Sequence, residues 1–231
     1  MADVNFYFDP ICPFAWMTSK WLRSVSRQRS YTVDWRFISL RLVNADVDYE
    51  TQFPAGYEEG HTAGLRLLRV AARARAQHGR AAVGPLYAAF GRAIFDCDPD
   101  EAATGERRGT RDFVEPLLTH AGLPRQLADA LDDSSLDRVI RAETDEALAL
   151  TGKDVGTPII QFRPPSGVAF FGPVISRLPV DEDALRLWDH VVGLAGFPGF
   201  AELKRSLREP VQLRALGADV GEIDFVSSSE R

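Results

Sequence analysis

Val4-Asn5-Phe6-Tyr7-Phe8-Asp9-Pro10-Ile11-Cys12-Pro13-Phe14-Ala15-Trp16 decides how this chain is read. Val4 to Asp9 is rich in aromatics and predicts a strand. Asp9-Pro10 then breaks it. From Cys12 or Pro13 onward, Trp16, Met17, Trp21, Leu22 and Val25 recur at helical spacing, so a helix begins there. Proline suits a first helical turn because its missing N–H would have no intrahelical partner. Tyr31 to Leu40 alternates apolar and polar residues around Val33, Trp35 and Phe37, and predicts a second strand. The chain therefore opens β-α-β, with a cysteine where the first helix starts.

Further along, Gly60 to His78, Pro85 to Phe95, Arg111 to Ala121, Arg125 to Leu131 and Leu136 to Thr151 read as helices. Asp112, Asp133 and Ser134 mark starts; Gly79, Gly122 and Gly152 mark stops. The polar run from Asp96 to Gly109 reads as a loop. Strand character returns at Thr157 to Phe162. Pro164-Pro165-Ser166-Gly167 then turns the chain into Val168 to Phe171, giving a hairpin. Asp181 to Leu194 and Phe200 to Leu207 read as closing helices. The stretch from Pro210 to Arg231 thins out toward Ser227-Ser228-Ser229 and reads as a partly disordered tail. The fold class is α/β: a thioredoxin-like domain over 1–56 and 152–210, an all-helical insertion over 57–151, and a C-terminal tail over 211–231.

The 231 residues are 45% hydrophobic and 26% charged, with a formal net charge of −6, as in ordinary globular proteins. The acidic balance argues against a nucleic-acid binder. No stretch is apolar for long enough to span a bilayer, and no signal peptide is evident, so a cytoplasmic location away from membranes is expected. Cys12 and Cys97 are the only cysteines, which excludes a disulfide scaffold and an all-cysteine zinc site. Lys20, Lys153 and Lys204 are the only lysines; the Arg- and Ala-rich composition hints at a GC-rich genome.

A cysteine at a helix start faces unpaired N–H groups with positive partial charge, which predicts a lowered pKa and a nucleophilic sulfur. Gly156-Thr157-Pro158 opens a later strand, a place compatible with a cis bond. Phe8 to Trp16, Gly152-Lys153-Asp154-Val155-Gly156-Thr157-Pro158 and Val168-Ala169-Phe170-Phe171-Gly172-Pro173-Val174, in that order, resemble the DsbA-like thioredoxin superfamily. Within it, they are similar to the actinobacterial mycothiol-dependent nitroreductase branch. The similarity runs from about Val4 to about Pro210. It implies a thioredoxin fold with a helical insertion, a cis-proline loop facing the cysteine, and a pocket for mycothiol or one descended from it. It also places Asn44 and Tyr57 near that pocket, and puts Phe14 at the position of a family tryptophan.

One departure redirects the functional expectation. The family pattern is Cys-Pro-Trp-Cys, but here it reads Cys12-Pro13-Phe14-Ala15. A dithiol enzyme releases its mixed disulfide with the second thiol, and Ala15 has none. Cys97 lies among Asp96 and Asp98, whose carboxylates raise its pKa. A lone thiolate adds reversibly to an electron-poor alkene. Rotation and elimination then return the other geometric isomer, with no electrons lost. The first expectation is therefore a cysteine-dependent cis–trans isomerase of a conjugated, carbonyl-activated alkene, such as a polyene or cinnamoyl-like acyl group. Cys12 is its nucleophile, and Phe14, Asn44, Tyr57, Thr157 and Pro158 hold substrate. It requires no cofactor. Its substrate is a small molecule or an acyl group on a carrier protein, and a homodimer is possible. The alternatives are a monothiol mycothiol-dependent oxidoreductase and a non-catalytic binding module.

His61 reads as a solvated surface residue or a proton shuttle, and His78 as a helix C-terminal residue favoured by the dipole. Arg66, Arg69 and Arg73 recur at helical spacing, as a solvated face or as a surface for an acidic carrier or a cofactor carboxylate. No metal motif, phosphate loop or Ser-His-Asp order is present.

Overall fold

A computed structural model describes residues 2–152, 155–206 and 209–219. β1 (Val4–Phe8) pairs parallel with β2 (Val33–Phe37) and antiparallel with β3 (Ile159–Phe162), and β3 pairs with β4 (Ala169–Phe171). The sheet order is β2-β1-β3-β4. The parallel pair is joined by α1 (Pro13–Gln28), the crossover that a parallel connection requires. β1 is interior to the sheet and buried along its whole length, which is why the successive aromatics Phe6, Tyr7 and Phe8 can serve both faces.

The two sheet faces bury different partners. Phe6 and Phe8 point to the side covered by α1 and by α5 (Val83–Phe95). There Phe8 stacks on Tyr87 at 3.8 Å between centroids, and Trp35 and Trp16 meet Tyr87 edge-on. Tyr7 points the other way, with Ile38, Ile159 and Ala147 of α8 (Asp137–Thr151). Gly91 of α5 allows the closest approach of α5 to α1: a Cβ there would lie 2.2 Å from Trp16 Cε3.

The middle of the chain is helical as expected, with α4 (Tyr57–His78) as its longest element and α7 (Arg111–His120) packed nearby. Arg125–Asp132 is a 3₁₀ helix rather than an α-helix. The run expected as a loop holds one 3₁₀ turn and α6 (Gly105–Arg108). Arg66, Arg69 and Arg73 are not a free solvated face. They pair with Asp132, Asp137 and Asp133, which lie in and just after that 3₁₀ helix. Charge complementarity inside the chain thus accounts for their spacing.

Two other expectations change. Residues 200–206 are not helical; Leu207 lies outside the described residues. Residues 201–206 are all exposed, Leu203 at 82%. A short helix with no face to bury is not stable by propensity alone. In the expected tail, Val211 and Leu213 are buried in the main core, and Gln212 N–H donates to Ser176 O. The tail therefore begins as part of the fold, whereas Ser227-Ser228-Ser229 lies outside the described residues. α9 (Asp181–Ala195) closes over α1, where Trp21 N–H donates to Ala184 O at 2.9 Å.

Gly91→Ala should lower unfolding stability by about 1–3 kcal/mol, since Trp16 must move. The exposed Gly193→Ala, whose Cβ meets nothing within 4 Å, should raise it by up to about 1 kcal/mol through helix propensity. Urea unfolding of the two variants checks the contrast.

Candidate functional site

Cys12 is the N-cap of α1, and Pro13 is its first helical residue. The Cys12 thiol donates to Thr157 O at 3.4 Å, and Ala15 N–H donates to Cys12 Sγ at 3.4 Å. The Thr157–Pro158 bond is cis, and the Thr157 hydroxyl donates to Tyr7 O at 3.2 Å. The start of α1 and the proline loop thus meet at the sulfur, although 145 residues separate them in sequence. Phe14 follows in the first turn of α1, half-buried against the core. Ala15 is fully buried, and its contact with the sulfur is through its backbone N–H.

The expected lowering of the Cys12 pKa does not hold in the resting protein. Burial pushes the thiol up to about 12. The N–H groups of Ala15 and Phe14 pull it down, but less, and the charge of Asp9 adds to the rise. Desolvation of a buried anion outweighs a helix start here. Cys97 also sits above its ordinary value, chiefly through burial, with Glu101 and Asp96 adding to the rise. The direction matches the sequence reading, but the main cause is burial.

Asp9 went unnoticed in the sequence except as a strand breaker. It is fully buried, and its carboxylate accepts from Ile11 N–H at 3.1 Å and from Leu40 N–H at 2.7 Å. It thereby ties the cysteine turn to the start of α2 (Leu40–Val43). Gly64 of α4 makes room for it: a Cβ there would lie 2.6 Å from Asp9 Oδ1. No local pattern in the sequence pairs Gly64 with Asp9; only the packing of α4 brings them together.

Asn44 caps α2. Its side-chain amide donates to Leu40 O at 2.8 Å, which engages the group expected to hold a substrate carbonyl. Four-residue helices leave their carbonyls unpaired, and an amide at the end satisfies one. Tyr57, 47% exposed, is part of an aromatic stack: it lies against Phe53, which lies against Tyr49 of α3 (Tyr49–Gln52). His61 is buried, contrary to the surface reading. Its Nδ1 is 2.8 Å from Tyr49 Oη, and burial lowers its pKa to about 4. It is therefore neutral near pH 7, which suits a fixed hydrogen-bond partner of Tyr49 better than a shuttle.

The family model described as Rv2466c-like, mycothiol-dependent nitroreductase Rv2466c, matches residues 11–205. The chain belongs to this family. The uncharacterized protein Rv2286c of Mycobacterium tuberculosis is 33% identical over 208 residues, covering 89% of this chain and 82% of that one. Among solved structures, the cytosolic disulfide reductase DsbM of Pseudomonas aeruginosa superposes with a TM-score of 0.53 at 16% identity. That match covers 83% of this chain and 98% of DsbM. A 2-hydroxychromene-2-carboxylate isomerase superposes with a TM-score of 0.52 at 14% identity, covering 82% and 94%. Both likenesses establish the fold: a DsbA-like thioredoxin domain with a helical insertion. Among the described residues, no helix is long and apolar enough to cross a membrane.

His61 gives a pH prediction. Its folded pKa is depressed and the neutral form is favoured in the fold, so its contribution is complete above about 6.5 and is lost as pH falls toward 4. Thermal unfolding between those pH values should show this decline. His61→Gln should flatten it while leaving the rest of the curve in place.

Proposed function

We propose that this protein is a cysteine-dependent cis–trans isomerase acting on a conjugated, carbonyl-activated alkene carried by a small molecule or a carrier protein. One observation carries the reading: Ala15, fully buried in the first turn of α1, stands at the sequence position where a dithiol enzyme holds its second sulfur, and it offers Cys12 only a backbone N–H, 3.4 Å from the sulfur. Family membership supports thiol-dependent chemistry in general. Isomerisation returns Cys12 to its starting state without a second thiol or an electron donor.

In the proposed reaction the Cys12 sulfur bonds to the β-carbon as its proton leaves. The alkene π-electrons pass to the carbonyl oxygen, giving an enolate. The former double bond, now single, rotates. The enolate then re-forms the alkene, the C–S bond breaks and the thiol regains a proton. The Thr157 carbonyl meets the sulfur, and Thr157, Pro158 and the half-buried Phe14, two residues from Cys12, are assigned to hold the flat conjugated chain. Asn44 and Tyr57 are assigned no direct step, given the cap and the stack in which they are engaged.

A second reading, monothiol oxidoreduction with mycothiol, is favoured by the family match. The donor set fits a small thiol in one respect: Cys12 Sγ sits against the Thr157 carbonyl and Pro158, and those residues would hold the chain of such a ligand. When bound, mycothiol supplies the second sulfur that Ala15 lacks.

Z- and E-2,4-dienoyl and cinnamoyl thioesters, incubated with the protein without reductant, should interconvert, as read by chromatography. Cys12→Ser should lower the rate by at least about 10³-fold, and Cys97→Ser should leave it unchanged. Isomerisation retained in Cys12→Ser would overturn the proposal. Turnover that appears only with mycothiol, together with net reduction of the product, would favour the second reading.

A further inference from the structure

The Cys12 thiol does not stand alone in its turn. Cys12 N–H donates to Asp9 O at 3.1 Å, closing a tight loop around Pro10 and Ile11. The Asp9 carboxylate is sealed inside that loop by two backbone N–H groups and by the α4 backbone at Gly64. Among the described residues no cation pairs with it. The ionisable groups that act on it or feel it are Cys12 from the same turn, Tyr49 from α3 and Tyr87 from α5. α2 presents a backbone N–H and α4 presents glycine. The nearest cation beside Tyr49, Arg41, is paired with Glu58 at 3.1 Å. Two acids, buried three residues apart without a counter-ion, cannot both ionise at low cost.

We propose that Asp9 is the positioning residue that sets the reactivity of Cys12: the pair holds one negative charge, and the reactive thiolate forms together with a protonated Asp9. In the resting state the charge sits on the carboxylate and the sulfur keeps its proton, which protects it from stray electrophiles. When the thiolate forms, the S–H bond breaks and an O–H bond forms on Asp9; elimination reverses both. No electrons change hands, and the route of the proton does not affect the populations. The burial-raised Asp9 pKa, about 7, agrees with this arrangement. The inference concerns the thiol that the proposed reaction uses. Its test reads sulfur chemistry directly, so it succeeds or fails separately from the choice of substrate.

The charge-sharing form, thiolate with neutral Asp9, has a fixed ratio to the form with neutral thiol and carboxylate. Its population therefore rises with pH only until Asp9 has ionised. In a Cys97→Ser background, the rate of Cys12 alkylation by iodoacetamide should climb about tenfold per pH unit below about 7 and flatten above it. Asp9→Asn should remove the break, leaving the rate at pH 6 little changed and raising it about tenfold at pH 8. A wild-type rate that rises with unit slope straight through pH 6 to 9 would overturn the proposal. So would an Asp9→Asn variant that keeps the break. Should Asp9→Asn fail to fold, the wild-type profile decides the question alone.

Discussion

Desolvation of the turn from Asp9 to Cys12 is the constraint on which the rest of the site depends. The central strand delivers that turn into a closed interior, and α1, the proline loop and α4 converge on it. A helix start and two amide N–H groups would by themselves favour a thiolate. In a turn closed to water they hold only part of the effect, and a buried carboxylate next to the sulfur opposes them. The sulfur is therefore a guarded nucleophile rather than a standing anion. Any reaction at Cys12 has to move a proton as it forms its bond.

The helical insertion contributes to the site mainly through α4. This helix packs by Gly64 onto Asp9, and its arginines pair with the aspartates at 132, 133 and 137. Arg75 reaches Glu143 at 2.8 Å, which also pairs with Arg36 and accepts from Phe37 N–H. A buried, hydrogen-bonded network of this kind fixes the register between α4, α8 and β2, even where its net stabilisation is modest. The position of Gly64 over Asp9 is a consequence of that register. The network thus helps set the surroundings of the sulfur.

Much of this was legible in the primary structure. The aromatic strand, the proline after the cysteine and the helical spacing of Trp16, Trp21 and Val25 gave β1 and α1, because each signal is local. The family resemblance implies that the Thr157-Pro158 loop faces Cys12, and the structure puts the Thr157 carbonyl there. The closing helix over 200–206 was misread because Glu202, Leu203, Lys204 and Arg205 have good helix propensity, yet no surface receives them. Asn44 was read for its amide, which a four-residue helix needs for its own end. His61 was read as exposed because burial under Tyr49 and Phe53 depends on how α3 folds back over α4.

The sequence by itself determined the type of sheet, the presence of one helix-start cysteine and the loss of the second sulfur at Ala15. These are statements about residue identity and short-range pattern, and packing cannot change them. Only the tertiary structure decided the state of the sulfur. Its protonation depends on how completely water is excluded and on which charges are shut in with it. Asp9, Gly64 and Tyr87 come from three separate elements, and no local pattern joins them. The physical reason is that the energy of a buried charge is set by its whole surroundings, whereas a helix start is set by a few neighbouring residues.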